Sequence, residues 1–305
     1  MNIRIDFCFI CSVKFSITLF LLVSVGQSYA QVLDNRHGEA FTDKPFFNVD
    51  FVKKNKLKRL IGSYTYKKDG DAMRETTFKH VYEFDKSGHL ISTFETRADD
   101  GTKDTTWNLF HYDDLGFLAS HRKTDLEGFT TVLYTNDSIG RVVEEEYIRE
   151  IDSANTIVRT LSFNKERIEY KNYELQEKRT RYNNYDLAYL DEFSNYNELG
   201  YLVEIVERIK MTSTVYTYAY EYNREGKLAV IRKTSNRKEG VLEEMKFKYD
   251  DLGNLVEKHI YKNGVFTTDI QIIYNSKSKL LSAVLTRQVS TGFILILRFQ
   301  DYEFF

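Results

Sequence analysis

Phe247-Lys248-Tyr249-Asp250-Asp251-Leu252-Gly253-Asn254-Leu255 is the stretch that decides the fold. It reads aromatic-x-aromatic-Asp/Asn-x-x-Gly-x-Leu. Seven other stretches follow the same sentence with varying fidelity: YEFDKSGHL from Tyr82, FHYDDLGFL from Phe110, YTNDSIGRV from Tyr134, LSFNKERIE from Leu161, SNYNELGYL from Ser194, YEYNREGKL from Tyr220 and IIYNSKSKL from Ile272. Taken in order, the eight copies start 28, 24, 27, 33, 26, 27 and 25 residues apart, which is the spacing of a repeat array.

The fourth position is Asp or Asn in every copy: Asp85, Asp113, Asp137, Asn164, Asn197, Asn223, Asp250 and Asn275. Such side chains accept hydrogen bonds from backbone N–H groups just downstream and start a type I turn. Three residues later stand Gly88, Gly116, Gly140, Gly200, Gly226 and Gly253, as a left-handed backbone position requires. Together these define a tight hairpin with a bulge. The turn sets the cross-strand pairs Phe84 with Leu90, Tyr112 with Leu118, Tyr196 with Leu202, Tyr222 with Leu228, Tyr249 with Leu255 and Tyr274 with Leu280. Arg167 and Ser278 replace Gly in two copies, where the turn is expected to be distorted or longer.

Second, variable turns are expected at Asp69-Gly70, Asp99-Asp100-Gly101, Glu127-Gly128, Asp152 to Asn155, Glu239-Gly240 and Asn263-Gly264. Alternation flanks the turns: Met245, Phe247 and Tyr249 fall on one face, Lys246 and Lys248 on the other, as in an antiparallel sheet packed on one side. The expected fold is all-β: about sixteen to eighteen strands in tandem hairpins, forming an elongated, twisted and curled sheet.

Residues 1–30 read as a signal peptide. Arg4 and Lys14 precede or flank an apolar run from Phe15 to Val25, and Ser28-Tyr29-Ala30 fits a cleavage site. The run is short for a membrane span, and neither Cys8 nor Cys11 lies in a lipid-attachment context. Cleavage leaves 275 of the 305 residues, with 41 basic and 44 acidic side chains and no thiol. The mature chain therefore has no disulfide or Cys metal site, and its near-neutral, interspersed charge argues against nucleic-acid binding. Residues 31–58 form a leader or cap, 59–285 the repeat domain and 286–305 a closing strand. The apolar end, Gly292 to Phe305, is read as a cap, with strand donation to another chain as the alternative.

No nucleophile elbow occurs, and the histidines never form a metal-binding pair, so neither catalytic nor metal residues are assigned. The paired carboxylates of Asp113-Asp114 and Asp250-Asp251 would point to opposite faces of a strand. Binding candidates are Trp107, placed on the face opposite the repeat aromatics, and Tyr216 and Tyr218 of the tyrosine stripe that continues through Tyr220 and Tyr222. Stripe burial in cross-strand packing is the competing reading.

The sentence resembles the YD repeat of the Rhs family, most closely at Tyr112-Asp113-x-x-Gly116-x-Leu118 and Tyr249-Asp250-x-x-Gly253-x-Leu255. The resemblance covers about Tyr64 to Leu281. It implies antiparallel ribbons that spiral, and small secreted members are described as carbohydrate-binding. The toxin-shell role does not carry over, since the core-end signature and a toxin domain are missing. The expectation is an exported, non-enzymatic protein, without cofactor, that binds a glycan or another protein in the periplasm, on the cell surface or outside the cell. A structural spacer that self-associates through edge strands is the alternative, and a carboxylate glycan hydrolase the third reading.

Overall fold

The computed structural model describes residues 31–99, 102–125, 128–153 and 156–305. Residues 1–30, with both cysteines, lie outside them, as do parts of three expected turns, at 100–101, 127 and 154–155. One short helix, α1 (Val49–Lys54), precedes a run of strands: β1 (Leu57–Lys68), β2 (Arg74–Phe84), β3 (Leu90–Asp99), β4 (Thr102–Tyr112), β5 (Leu118–Asp125), β6 (Gly128–Asn136), β7 (Val142–Ser153), β8 (Thr156–Asn172) and β9 (Gln176–Tyr182). The run continues as β10 (Ala188–Tyr196), β11 (Leu202–Ile209), β12 (Thr214–Tyr222), β13 (Leu228–Ser235), β14 (Lys238–Tyr249), β15 (Leu255–Lys262), β16 (Val265–Tyr274), β17 (Leu281–Gln288) and β18 (Phe293–Phe304).

Each strand pairs antiparallel with its neighbours in sequence, and β18 pairs with β1 from Leu57↔Phe304 to Lys68↔Phe293. The sheet is therefore a closed 18-stranded barrel, which corrects the expected elongated, twisted and curled sheet. Closure removes both free edges, including the terminal edge near Gly292 that strand donation would need.

The fixed turns have the geometry their residues dictate. Asp113 Oδ1 accepts from Leu115 N at 3.0 Å and Phe117 N at 2.9 Å, while Gly116 sits at φ 84°. Asp137, Asn197, Asn223 and Asp250 repeat this pair of bonds. Asp85 accepts from His89 N at 2.9 Å. Five of the six expected cross-strand pairs are in register. The exception is Tyr274, which pairs with Leu281 because Lys279 takes the left-handed conformation and the loop gains a residue.

The copy at Leu161 is not a turn. With Arg167 in place of Gly the chain stays extended through the whole of β8, and the hairpin closes later, where Tyr173 N bonds Gln176 O at 2.7 Å. A copy not visible to the pattern lies at Tyr182-Asn183-Asn184-Tyr185-Asp186, where Asp186 at φ 58° stands for Gly. Glu239-Gly240 lies inside β14, and Asn236-Arg237 makes that turn. Asn263 and Gly264, both at positive φ, close a two-residue hairpin as expected.

One hydrogen bond recurs from unit to unit. The hydroxyl of the repeat tyrosine donates to the carbonyl of the aliphatic residue at the start of an earlier strand: Tyr112 to Leu90, Tyr222 to Leu202, Tyr249 to Leu228, Tyr274 to Leu255 and Tyr302 to Leu281, at 2.7–3.0 Å. Asn136 makes the same bond to Leu118 O through its amide at 2.9 Å. Each bond contributes about 1 kcal/mol net and ties adjacent hairpins together.

Residues 31–56 enter the barrel and turn back. Lys258 Nζ of β15 donates to Ala40 O at 2.8 Å, and Lys123 Nζ of β5, across the ring, meets Asp43 at 2.8 Å. These contacts identify the inward face as the one carrying the repeat aromatics. Val32, Leu33, Phe46, Phe47, Phe51 and Val52 of this plug pack with Tyr82, Phe84, Leu228, Ile231 and Phe247 in the main hydrophobic core. The outward face is charged around the wall: Lys246 pairs with Glu244 at 2.8 Å, Lys248 with Glu257 at 2.7 Å and Arg122 with Glu150 at 2.6 Å.

The plug and one fixed turn meet tightly. A Cβ on Gly88 would collide with the Val49 carbonyl oxygen of α1, whereas one on Gly200 would meet nothing. Both glycines have positive φ. Gly200→Ala is therefore expected to cost about 1 kcal/mol and Gly88→Ala roughly twice that or more, as read by denaturant unfolding. Equal costs would contradict this seating of the plug.

Candidate functional site

Successive hairpins of a meander alternate between its two ends, so the six Gly turns and the turn at Asn275 share one rim. The plug enters and leaves at this rim: Gln31 lies beside Gly253 and Val49 beside Gly88. Its two arms are held together by the Leu33↔Phe47 bridge, with Asp34 N donating to Phe46 O at 2.8 Å and Asn48 N to Val32 O at 3.0 Å.

Between the plug and the wall from β10 to β14 this leaves a cleft of about 690 Å³. The plug contributes Asp34, Asn35, Arg36 and His37, and the wall contributes Tyr196, Tyr201, Tyr222 and Tyr249. The rings of Tyr201 and Tyr222 meet at 4.8 Å between centroids. Asn35 Nδ2 donates to the Tyr249 hydroxyl at 3.0 Å, which itself donates to Leu228 O at 2.8 Å. Burial pushes Tyr249 up to about 12, so it stays a neutral donor. Burial also acts to raise the Asp34 carboxyl, but hydrogen bonds from Arg36 outweigh it and hold the group below the usual carboxylate value. The cleft thus offers aromatic faces, a carboxylate and a guanidinium at one mouth, the usual ligand position of a barrel.

A smaller cleft of about 300 Å³ flanks the other side of the plug, between His37, Glu39, His89 and Tyr112. There His89 stacks on Tyr112 at 4.5 Å and its Nδ1 lies 3.2 Å from Asp85. A third, of about 230 Å³, lies deeper, beneath Phe41 and Asp43.

The sequence candidates do not meet. Trp107 is on the outward face, 38% exposed, with its ring 4.5 Å from that of its cross-strand partner Phe94. Tyr216 and Tyr218 face the lumen, where Lys233 Nζ lies 4.6 and 4.9 Å from their rings and the Tyr218 hydroxyl donates to Glu207 at 3.1 Å. The turn residues Asp85, Asp113, Asp137, Asn197, Asn223 and Asp250 serve the hairpins. Sequence reasoning missed the plug residues because Asp34 to His37 belong to no motif. It missed Tyr201 because an aromatic directly after the turn Gly recurs only at Phe117.

Two lumenal carboxylates do face each other across strands, Glu145 and Glu166. Arg181 bonds both, at 2.9 and 2.8 Å, and Tyr147 and Tyr189 donate to them at 2.7 and 2.6 Å. The pair is locked in a structural network that leaves neither carboxylate poised for acid–base work. Among the described residues no three His, Cys, Asp or Glu side chains converge to hold a metal ion, and no helix is long and apolar enough to cross a membrane.

No protein family and no curated protein matches the chain. Among solved structures, TcdB2–TccC3 without its hypervariable C-terminal region is 12% identical, with a TM-score of 0.23 over 70% of this chain and 14% of that one. A porin-like protein from Bacteroides uniformis is 9% identical, with a TM-score of 0.30 over 82% and 97% of the two chains. A DUF1329 family protein from Desulfovibrio piger is 10% identical, with a TM-score of 0.23 over 84% and 88%. The chain spans only a small part of TcdB2–TccC3. At these TM-scores the likenesses carry no argument about fold or function.

Lys258 gives a test of the plug contact in solution. Burial disfavours its ammonium and pulls its pKa from 10.5 down to about 8, against a smaller opposing pull from Glu243. Between those values the unfolded chain holds a proton that the folded chain has released, so stability contributed at this site rises with pH. Relative to Lys258→Met, the wild type should gain on the order of 2 kcal/mol from pH 8 to 10. Paired thermal melts check this, and a difference that stays flat with pH would contradict the buried placement.

Proposed function

We propose that this is an exported, non-enzymatic binding protein of the cell envelope or extracellular space, a short relative of the YD-repeat proteins, whose ligand is a glycan held at the plugged mouth of the barrel. The observation that carries the reading is the rim cleft, where tyrosine faces and a carboxylate–guanidinium pair converge beside a rigid plug. Sugar rings stack on such faces and exchange hydroxyl hydrogen bonds with such polar groups. Export rests on the charge and apolar pattern of residues 1–30 and on the absence of thiols from residues 31–305. The charged outward face favours a barrel surrounded by water, because a membrane-spanning barrel needs an apolar outer band. The absence of catalysis rests on the engagement of Glu145 and Glu166 by Arg181.

The test is a glycan array on the purified exported protein, followed by titration calorimetry on any hit. Tyr201→Ala and Asp34→Ala should each weaken binding about tenfold or more, equivalent to at least one good contact, while leaving the melting temperature nearly unchanged. Trp107→Ala should leave affinity intact. Binding that depends on Trp107 and ignores Tyr201 would move the ligand to the outer wall and overturn the cleft reading.

A further inference from the structure

The rim that carries the plug also carries a crown of exposed apolar turn tips. Leu115, Ile139, Leu199 and Leu252 occupy the same position, just before the turn glycine, and are 71%, 67%, 81% and 54% exposed. The hairpin does not require an aliphatic there, since Ser87 and Glu225 fill that position in sister turns. Leu175 adds a fifth tip in the β8–β9 turn at the same end, and Phe304 and Phe305 lie there too, where Phe305 N bonds Lys56 O.

Charge divides this rim into two opposed arcs. From the β4–β5 turn to the β10–β11 turn the exposed charges of the turns themselves are acidic, Asp114, Glu174 and Glu198, with one exposed base, Lys171, near the end of β8. Across the ring, from the β16–β17 turn past the β18–β1 seam to the β2–β3 turn, they are mainly basic, Lys277, Lys53, Lys56 and Lys86, against one exposed acid, Asp50 of α1. None of the three turn acids or the four lysines has an ion-pair partner among the described residues. The intervening turns are mixed, with Arg224, Glu225 and Asp251. A two-fold axis lying in the plane of the rim, midway between the arcs, sets the acidic arc of one copy on the basic arc of the other. The aliphatic tips of one copy then meet Phe304, Phe305 and the lysine stems of the second.

The available face is large enough. Eighteen strands spaced about 4.8 Å and tilted about 40° give a ring roughly 35 Å across, hence a face of roughly 1,000 Å² per copy, against about 800 Å² per partner in stable complexes. We infer that two copies of this chain associate head to head through the plugged rim, acidic arc against basic arc. This stands independently of the glycan reading, and it sets the two mouth clefts opposite one another. An acidic arc of this kind opposes docking on an anionic membrane.

The experiment is sedimentation velocity on the purified exported protein, the wild type and two charge-reversed forms. One form carries Asp114→Lys, Glu174→Lys and Glu198→Lys, the other Lys53→Glu, Lys86→Glu and Lys277→Glu. The wild type should dimerise, and raised salt should weaken the dimer. Each reversed form alone should be monomeric, with unchanged circular dichroism and melting temperature, because like charges then face each other. Mixed one to one, the two forms should restore a heterodimer, which simple misfolding of either could not produce. A monomeric wild type, dimerisation of either reversed form alone, or a mixture that stays monomeric would each overturn the inference.

Discussion

An eighteen-stranded ring encloses more space than its inward side chains can fill, and the fold depends on residues 31–56 occupying it. Barrels of this size are normally left with a channel. Here the plug supplies Phe46, Phe47, Phe51 and Val52, each buried to within a few per cent and each contributing roughly 2 kcal/mol of apolar transfer. Polar anchors fix its register: Ala40 O takes the Lys258 ammonium, Asp43 takes Lys123, and Asn35 reaches Tyr249. The hydrophobic core is accordingly the interface between plug and wall. Where the plug is absent, between β7 and β10, the lumen is lined by Arg181, Glu145, Glu166 and their tyrosine partners, a charged network in place of an apolar core.

The wall has its own periodic logic. The Asp or Asn side chain and the left-handed Gly close each hairpin, and the repeat tyrosine of one hairpin bonds a carbonyl of an earlier one. Two of these tyrosines, Tyr222 and Tyr249, therefore pack across strands, hydrogen-bond between units and line the mouth cleft, which Tyr196 also lines. The proposed site and the fold draw on one set of side chains here. A cleft built this way inherits the rigidity of the wall, since moving Tyr249 would break bonds to both Leu228 and Asn35.

The hairpins and five of the six pairings were legible in the sequence because each depends on residues within nine positions of one another. Closure was not, because the pairing of Ser63 with Arg298 joins strands with no local signal for each other. The Asn164 copy misled because its Asn and aromatic survive while its Gly does not, and without Gly the chain continues as strand. Asp186 hid a working turn for the converse reason, since Asp tolerates the left-handed conformation at modest cost. The apolar pairs Phe46-Phe47 and Phe51-Val52 were visible signals that residues 31–58 are buried, yet they match no repeat and no strand alternation. Tyr216 and Tyr218 share one face of a strand, as the alternation of the tyrosine stripe indicates, and closure turns that face into the lumen, in line with the burial reading of the stripe rather than with an exposed binding surface.

Closure around the plug is the central claim, and an engineered disulfide tests it most directly. Residues 31–305 contain no cysteine, so Ser63→Cys with Arg298→Cys introduces a single pair, at register partners on β1 and β18. Directly opposed strand residues lie about 4.5–5.5 Å apart between Cα atoms, within disulfide reach. Closure predicts that mild oxidation forms an intramolecular disulfide in nearly all molecules and raises the melting temperature. Failure to form it, or formation only between separate chains, would mean that the first and last strands are apart and that the sheet is open.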